Sequence, residues 1–409
     1  MADIILCLKM ARDHSSVFCR RMTKMITEKL PNRRIVVKVG TSLLTAGKDQ
    51  LDVAMVANIV DQMSDLQHDG SQMILVTSGA VAAGKGVIKS FSDGIQGDGV
   101  TLPDRQVLAA VGQGKLMQVY EEKFSLRDIP VAQALVSKRD VNDRLGYLNL
   151  RNTLSALLSR GIVPIVNEND VVSVEELEGE VFGDNDNLSA LIANLIDADL
   201  LMILGKVPGM YTKDPNIHHD AKIIQMVEKI DEYIDSLGGP SSDTMGRGGM
   251  YTKIEAARLA TASGVDVVIA SGLEENVIKR LAWKEVLGTL FRASVTKLES
   301  RKRWMLSGIS GGSRRRNICV DNGAFVALRG SHTSLLPAGV ISVSGDFDRG
   351  DIVAIVNELG AIVGAGISNY GSGDLEKIKA ARSNRIHEIL GYHYSDEVIH
   401  RDNLVLLVE

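Results

Sequence analysis

At 409 residues the chain is long for one domain and comfortable for two. Hydrophobic residues make up 45% and charged residues 24%, the balance of a globular protein with a large core, and 4% aromatics beside 39 glycines suit α/β sheets with many tight turns. A formal net charge of −5 argues against a broad nucleic-acid or membrane-surface footprint. Three scattered cysteines (Cys7, Cys19, Cys319) argue against a disulfide framework or a zinc site, and no apolar run approaches the roughly 18 residues of a membrane helix. A reducing compartment, the cytoplasm, is the expected location.

Residues 1–33 read as a loosely attached extension. Arg12, Arg20, Arg21 and Lys24 make it basic, but its one apolar stretch, residues 4–8, is too short for a signal peptide. Asp3, Asp13 and Glu28 run against a transit peptide, and Met22 and Met25 offer later starts. From Arg34 to Arg292 short β-branched runs alternate with helical patterns. Strands are expected at 35–39, 73–76, 130–135, 163–166, 200–204 and 265–269, with helices such as 53–66 and 150–158 between them. This alternation predicts an α/β fold: an open, mostly parallel sheet covered by helices on both faces, with ligands at the carboxyl ends of the strands.

The texture changes near residue 300. A charged stretch at 297–304 leads into a Gly/Ser-rich connector at 307–313. Beyond it, short apolar runs at 318–320, around 325–328, and at 341–343, 352–356 and 361–366 are separated by close turns, which predicts a small β-rich domain. The expected division is 34–292, a linker at 293–313, and 314–409.

The loops after the strands hold the unusual residues. The first strand ends in Val37-Lys38-Val39-Gly40-Thr41-Ser42. Its lysine can reach a phosphate from the strand end, although a snorkelling lysine beside a turn would look the same. Gly79-Ala-Val-Ala-Ala-Gly84-Lys85-Gly86 imitates a P-loop, but Gly86 stands where the metal-binding hydroxyl belongs, so that reading is rejected. What remains there is Thr77-Ser78-Gly79-Ala80, where hydroxyls and helix N-terminal amides suit an anion such as a carboxylate. Asn167-Glu168-Asn169-Asp170 exceeds the needs of a turn and suits an amino group or a hydrogen-bonded substrate. Gly183-Asp184-Asn185-Asp186-Asn187 precedes an apolar helix expected at 188–196; one acid there is an ordinary cap, and another could bridge two lysines. Last, Gly246-Arg247-Gly248-Gly249-Met250-Tyr251-Thr252-Lys253 opens a helix expected at 254–262. A lysine in its first turn opposes the helix dipole unless an anion binds there.

Together these loops resemble the amino acid kinase family, and within it the glutamate 5-kinases, from about Ile35 to the C-terminus. The tail resembles a PUA domain through Asp321–Ala324, Ser334–Gly339 and Gly345–Gly350. The resemblance implies ATP-dependent phosphorylation of the side-chain carboxylate of L-glutamate, with Mg²⁺ arriving on ATP. It implies that Lys38 and Lys253 neutralise the phosphoryl group in flight while Asp186 orients both. Ser78, Asp170 and Asn185 would hold glutamate. Arg247, Gly248, Gly249, Met250, Tyr251, Thr252 and Lys253 would line the nucleotide site with Lys38, joined by Gly205 and Lys206. After the fifth strand the family usually carries a hydroxyl residue and then Asp, so Gly205-Lys206 is a departure, as is Arg247 where a small residue is usual.

The family also implies proline as a feedback inhibitor at the glutamate site, a glutamyl phosphate reductase as functional partner, and a homo-oligomer. The acidic segment 171–182, with Glu175, Glu176, Glu178, Glu180 and Gly179, lies where a loop over the site would be. Two rivals remain at this point. Another amino acid kinase, acting on aspartate or N-acetylglutamate, is disfavoured by the Asn167–Asp170 loop and the PUA-like tail. An RNA-binding PUA protein is disfavoured by charge, since residues 306–409 carry 10 Lys/Arg against 12 Asp/Glu.

Overall fold

The computed structural model describes residues 33–48, 50–88, 101–172, 185–215, 217–238, 249–299, 305, 316–331 and 333–407. The expected extension (apart from Arg33), the 307–313 connector, most of the acidic 171–182 segment, Asp184, Arg247 and Gly248 lie outside them.

Eight strands form the larger sheet: β1 (Arg34–Val39), β2 (Gln72–Val76), β3 (Val131–Val136), β4 (Val163–Glu168), β5 (Leu200–Gly205), β6 (Met226–Val227), β7 (Asp266–Ser271) and β8 (Thr289–Phe291). Their order is β3-β4-β2-β1-β5-β7-β8-β6, and every neighbouring pair is parallel except β7 with β8. Central β1 sends alternate side chains into two cores. Ile35, Val37 and Val39 join Met73, Leu75, Met202 and Leu204 on one face, and Val36 joins Ile74, Val76, Leu201 and Ile203 on the other. With helices on both faces, the central strands have no room for polar residues until their ends.

Register decides which ends meet. Lys38 pairs with Val76 of β2 and Ile203 of β5, and Val76 pairs in turn with Val166 of β4. Gly40, Thr77-Ser78, Asn167 and Gly205 therefore emerge along one edge of the sheet, the edge where parallel α/β sheets bind ligands.

Several elements differ from their expected bounds for local reasons. Pro130 has no N–H and stays outside β3, although its carbonyl accepts from the Val163 amide at 3.0 Å. The helix expected at 150–158 spans Arg144–Ser159, because the Asp143 carboxylate accepts from the Gly146 amide at 2.7 Å and starts it earlier. The helices expected at 188–196 and 254–262 span Asn185–Leu195 and Met250–Thr261.

The longest helix, Leu102–Ser125, was not singled out by apolar spacing, since its apolar residues do not gather on one face. A capping box between Thr101 and Asp104 and a proline in the first turn start it. It crosses the Ala80–Ile88 helix in near backbone contact. A Cβ on Gly84 would stand 1.9 Å from the Leu108 carbonyl oxygen, and one on Gly112 would stand 1.9 Å from that of Ala80. Gly84 of the P-loop look-alike is thus a helix-packing glycine, which explains it without any phosphate.

The second sheet has β9 (Asn317–Val320), β10 (Val340–Ser344), β11 (Ile352–Val356), β12 (Ile362–Ile367) and β13 (Leu404–Leu406) in the order β10-β9-β11-β12-β13. The apolar run at 325–328 is not a strand here. It belongs to the Asn322–Ser331 helix, where the Asp321 carboxylate accepts from the Ala324 amide at 2.6 Å and Ala324 and Leu328, one turn apart, face the core. The sheet docks on the Arg144–Ser159 helix, where Leu148 packs with Met305, Ile352, Ala365, Ile367 and Val405. Buried Arg151 closes this seam. Its guanidinium donates to Asn403 Oδ1, Asp197 Oδ2 and the Asp402 carbonyl, each at 2.6 Å, and to the Leu195 carbonyl. Among the described residues no helix is long and apolar enough to cross a membrane.

The helix crossing yields a paired test. Gly112→Ala should destabilise the protein by about 1–3 kcal/mol or more through overpacking. Gly114→Ala, two residues on and facing open space, should be neutral or gain up to about 1 kcal/mol of helix propensity. Urea unfolding midpoints of both variants check this; equal shifts would contradict the close crossing.

Candidate active site

One carboxylate organises the sheet edge. Asp186, in the first turn of the Asn185–Leu195 helix, is fully buried. Lys38, 4% exposed at the end of β1, places Nζ 2.5 Å from its Oδ1. Lys253, 9% exposed in the first turn of the Met250–Thr261 helix, places Nζ 2.9 Å from Oδ2. Thr252 donates its hydroxyl to the same Oδ2 at 3.0 Å. Burial by itself would push the Asp186 carboxyl up. The charges of Lys38 and then Lys253, together with hydrogen bonds from both, outweigh it and hold the group well below the usual carboxylate range.

Two glycines flank the lysines. A Cβ on Gly40 would lie 3.6 Å from Lys38 Nζ, and one on Gly205 would lie 3.7 Å from Lys253 Cε. The Met250–Thr261 helix begins at Gly249, which offers no capping side chain, and its first turn carries no acid. Among the described residues nothing lies within 4 Å of where a Gly249 side chain would project. Two clustered ammonium groups beside a helix start of this kind are chemically suited to a phosphate.

A second, uncharged network adjoins the first. Asn185 Nδ2 donates to Ser78 Oγ at 2.8 Å and to Asn167 Oδ1 at 3.4 Å, and Asn167 Nδ2 donates to Gln113 Oε1 at 2.9 Å. Thr77, just before Ser78, is fixed from behind by a 2.8 Å hydrogen bond between its hydroxyl and that of Tyr120, a buried phenol whose ionisation burial pushes up, only partly offset by the Thr77 bond.

The structure thus brings together Lys38, Asp186, Thr252, Lys253 and Gly205 in one cluster, and Ser78 with Asn185 in the next. Asp170 sits in the turn after β4, three residues past Asn167. Lys206 is exposed just past β5, its Nζ 2.8 Å from where Gly47, at φ +81°, would carry a Cβ. Met250 and Tyr251 start the helix after Gly249, and Arg247 and Gly248 lie outside the described residues. Two members of the networks, Gln113 and Tyr120, were not singled out in the sequence, and Asn167 was read there only as part of the Asn167–Asp170 loop. The available signal was Gly112 inside a helical stretch, a residue that costs helix propensity and so points to a packing reason. Among the described residues no group of three or more His, Cys, Asp or Glu side chains converges to hold a metal ion, and both Asp186 oxygens face lysines.

Asp186→Asn should cost about 3–5 kcal/mol of stability, because it leaves two buried ammonium groups without their counter-charge. The pH sense follows from the depressed carboxyl. Its stabilisation is complete above the usual value of 3.8 and is withdrawn as pH falls through the lower folded value. The penalty should therefore be flat between about pH 5 and 8 and shrink in acid. Urea unfolding of both proteins across that range measures it; a penalty that grows toward low pH would contradict the ion pairs.

The amino acid kinase family model matches residues 33–271, and the PUA domain model matches residues 316–390. A glutamate 5-kinase of Dehalococcoides mccartyi strain 195 is 48% identical over 375 residues, covering 92% of this chain and 98% of its own length. Those of Herpetosiphon aurantiacus and Deinococcus radiodurans are 45% and 43% identical, each covering 91% of this chain and 98% and 100% of their own lengths. Among solved structures, an isopentenyl phosphate kinase chain superposes with a TM-score of 0.42 at 18% identity, over 63% of this chain and 99% of that one.

Proposed function

The chain belongs to the amino acid kinase family, and from that premise we propose that it transfers the γ-phosphate of ATP to the side-chain carboxylate of L-glutamate, forming L-glutamyl 5-phosphate. The observation that carries this reading is the Lys38–Asp186–Lys253 cluster beside the Ser78–Asn185 network. One part suits a transferring phosphoryl group, and the other a small polar acceptor. Relatives named glutamate 5-kinase align over nearly their whole length.

Catalysis in this reading is positioning plus electrostatics. Asp186 spends its charge on aligning the two lysines, so that both ammonium groups face the charge that spreads over the phosphoryl oxygens. The amides at the start of the Met250–Thr261 helix, with Gly205 and Lys206, receive the nucleotide phosphates. Ser78, Asp170 and Asn185 hold glutamate. No general base is required, since a glutamate carboxylate is already ionised at neutral pH. The acyl phosphate product is labile and calls for a prompt consumer, a glutamyl phosphate reductase. The reading also places the protein in the cytoplasm as a homo-oligomer, with proline as a competing ligand. Proline shares the α-carboxylate and amino group of glutamate but lacks the acceptor carboxylate.

With MgATP, purified protein should release ADP on adding L-glutamate and form a hydroxamate when hydroxylamine is present. Equal turnover with aspartate or N-acetylglutamate would overturn the assignment. Lys38→Ala and Lys253→Ala should each lower kcat by about a hundredfold or more, and a raised KM for ATP at near-normal kcat would reduce them to binding residues. Proline titrated at several glutamate concentrations should inhibit competitively, and an unchanged rate at millimolar proline would remove it as a ligand.

A further inference from the structure

The amide network behind Ser78 ends in two unpaired atoms. Gln113 Nε2 and Asn185 Oδ1 are both shielded from solvent and, among the described residues, have no hydrogen-bond partner. Their free valences follow from the pairings between them. Asn185 uses its amide N–H groups on Ser78 and Asn167, and Asn167 uses its own on Gln113 Oε1. The chain of three amides therefore finishes in one donor at Gln113 and one acceptor at Asn185. Reversing all three amides would exchange the two ends but would still leave one donor and one acceptor.

Shielded amide groups are seldom left unpaired, and such a pair needs a complementary partner. A partner that supplies one acceptor and one donor together is the zwitterionic head of an α-amino acid, with its carboxylate and ammonium on one carbon. We infer that Gln113 is a specificity-determining residue that donates from Nε2 to the substrate's α-carboxylate, while Asn185 Oδ1 accepts from its α-ammonium. This rests on the amino acid phosphotransferase reading above and extends it to a residue on the Leu102–Ser125 helix.

The placement of Gln113 is rigid. The preceding Gly112 packs against the Ala80 carbonyl, in the helix that follows Ser78 and Gly79 directly. Two turns on from Gln113, Tyr120 ties the same helix to Thr77. Both contacts fix Gln113 relative to Ser78, and Asn167, itself 2% exposed, holds its Oε1. An amide so held is preorganised to select a ligand by hydrogen bonding, because a substrate that lacks the matching group leaves it unpaired.

Gln113→Glu isolates the donor. The new side chain keeps an oxygen for Asn167 Nδ2 and replaces the Nε2 donor with negative charge. The readout is kcat/KM, or the inhibition constant against glutamate where turnover is too slow, for L-glutamate, glutarate (no amino group) and 4-aminobutyrate (no α-carboxylate). The expected result is a loss of about tenfold to a hundredfold for glutamate and glutarate, with 4-aminobutyrate changed less than about twofold and KM for ATP unchanged. Gln113→Ala should show the same pattern more weakly, since it removes the donor without adding repulsion. An equal loss for all three ligands would make Gln113 a structural residue and overturn the inference. So would a gain for 4-aminobutyrate in Gln113→Glu together with a loss confined to glutamate and 4-aminobutyrate in Gln113→Ala, which would give Gln113 to the ammonium. If the unaltered protein releases no ADP with glutamate, the phosphotransferase reading itself fails; if it does and the variants behave normally, only the role of Gln113 fails.

Discussion

Asp186 is a carboxylate with no access to water, and it is tolerable only because two ammonium groups from separate elements reach it. That requirement ties the end of β1 to the starts of two helices that lie far apart in sequence. Neither lysine could sit so deeply without the acid, and the acid could not sit there without them. Three charges summing to +1 are left at the carboxyl edge of the sheet. Because one acid serves both lysines, the contacts that make the buried cluster tolerable also leave it net positive at that edge.

The helix that begins with Asn185 and Asp186 is held at its far end as well. Its last carbonyl, Leu195, and nearby Asp197 are bound by Arg151, whose guanidinium also reaches Asp402 and Asn403 beside β13. The second sheet therefore touches the element that carries the buried acid, through one side chain with several simultaneous hydrogen bonds. A guanidinium suits this junction because its planar array of donors serves carbonyl, amide and carboxylate acceptors at once.

Glycine serves opposite ends in neighbouring loops. Gly249 starts a helix without a capping side chain, whereas Gly84 and Gly112 allow two helices to approach until their backbones nearly touch. The run Gly79–Gly86 has the spacing of a phosphate loop but the packing of a helix crossing, and the same crossing sets Gln113 behind Ser78. A glycine pattern alone does not distinguish these uses; what occupies the missing Cβ position does.

Much of the fold was legible in the sequence. The β-branched runs around Val36, Ile74, Ile165, Leu201 and Val268 could be read as buried parallel strands because both of their faces meet helices, so their apolar runs are unbroken. Lys38 and Lys253 stood out because packing and the helix dipole give them little reason to be where they are, and Asp186 because one acid suffices as a cap and a second could bridge two lysines. The helix at Leu102–Ser125, the helix at Asn322–Ser331 and the hub role of Asn167 did not stand out. In the first, apolar residues are spread around the axis, and in the second a short apolar run fits strand and helix equally. Which charged and polar ends meet was decided by register alone, by Lys38 standing beside Val76 and Ile203 and Val76 beside Val166. Register arises from the joint packing of both sheet faces, a property of no single segment. For that reason the sequence by itself could nominate the site's residues strand by strand, and an acid bridging two lysines as an expectation, while the tertiary structure decided which atoms meet there and that an amide from a helix not singled out stands behind Ser78.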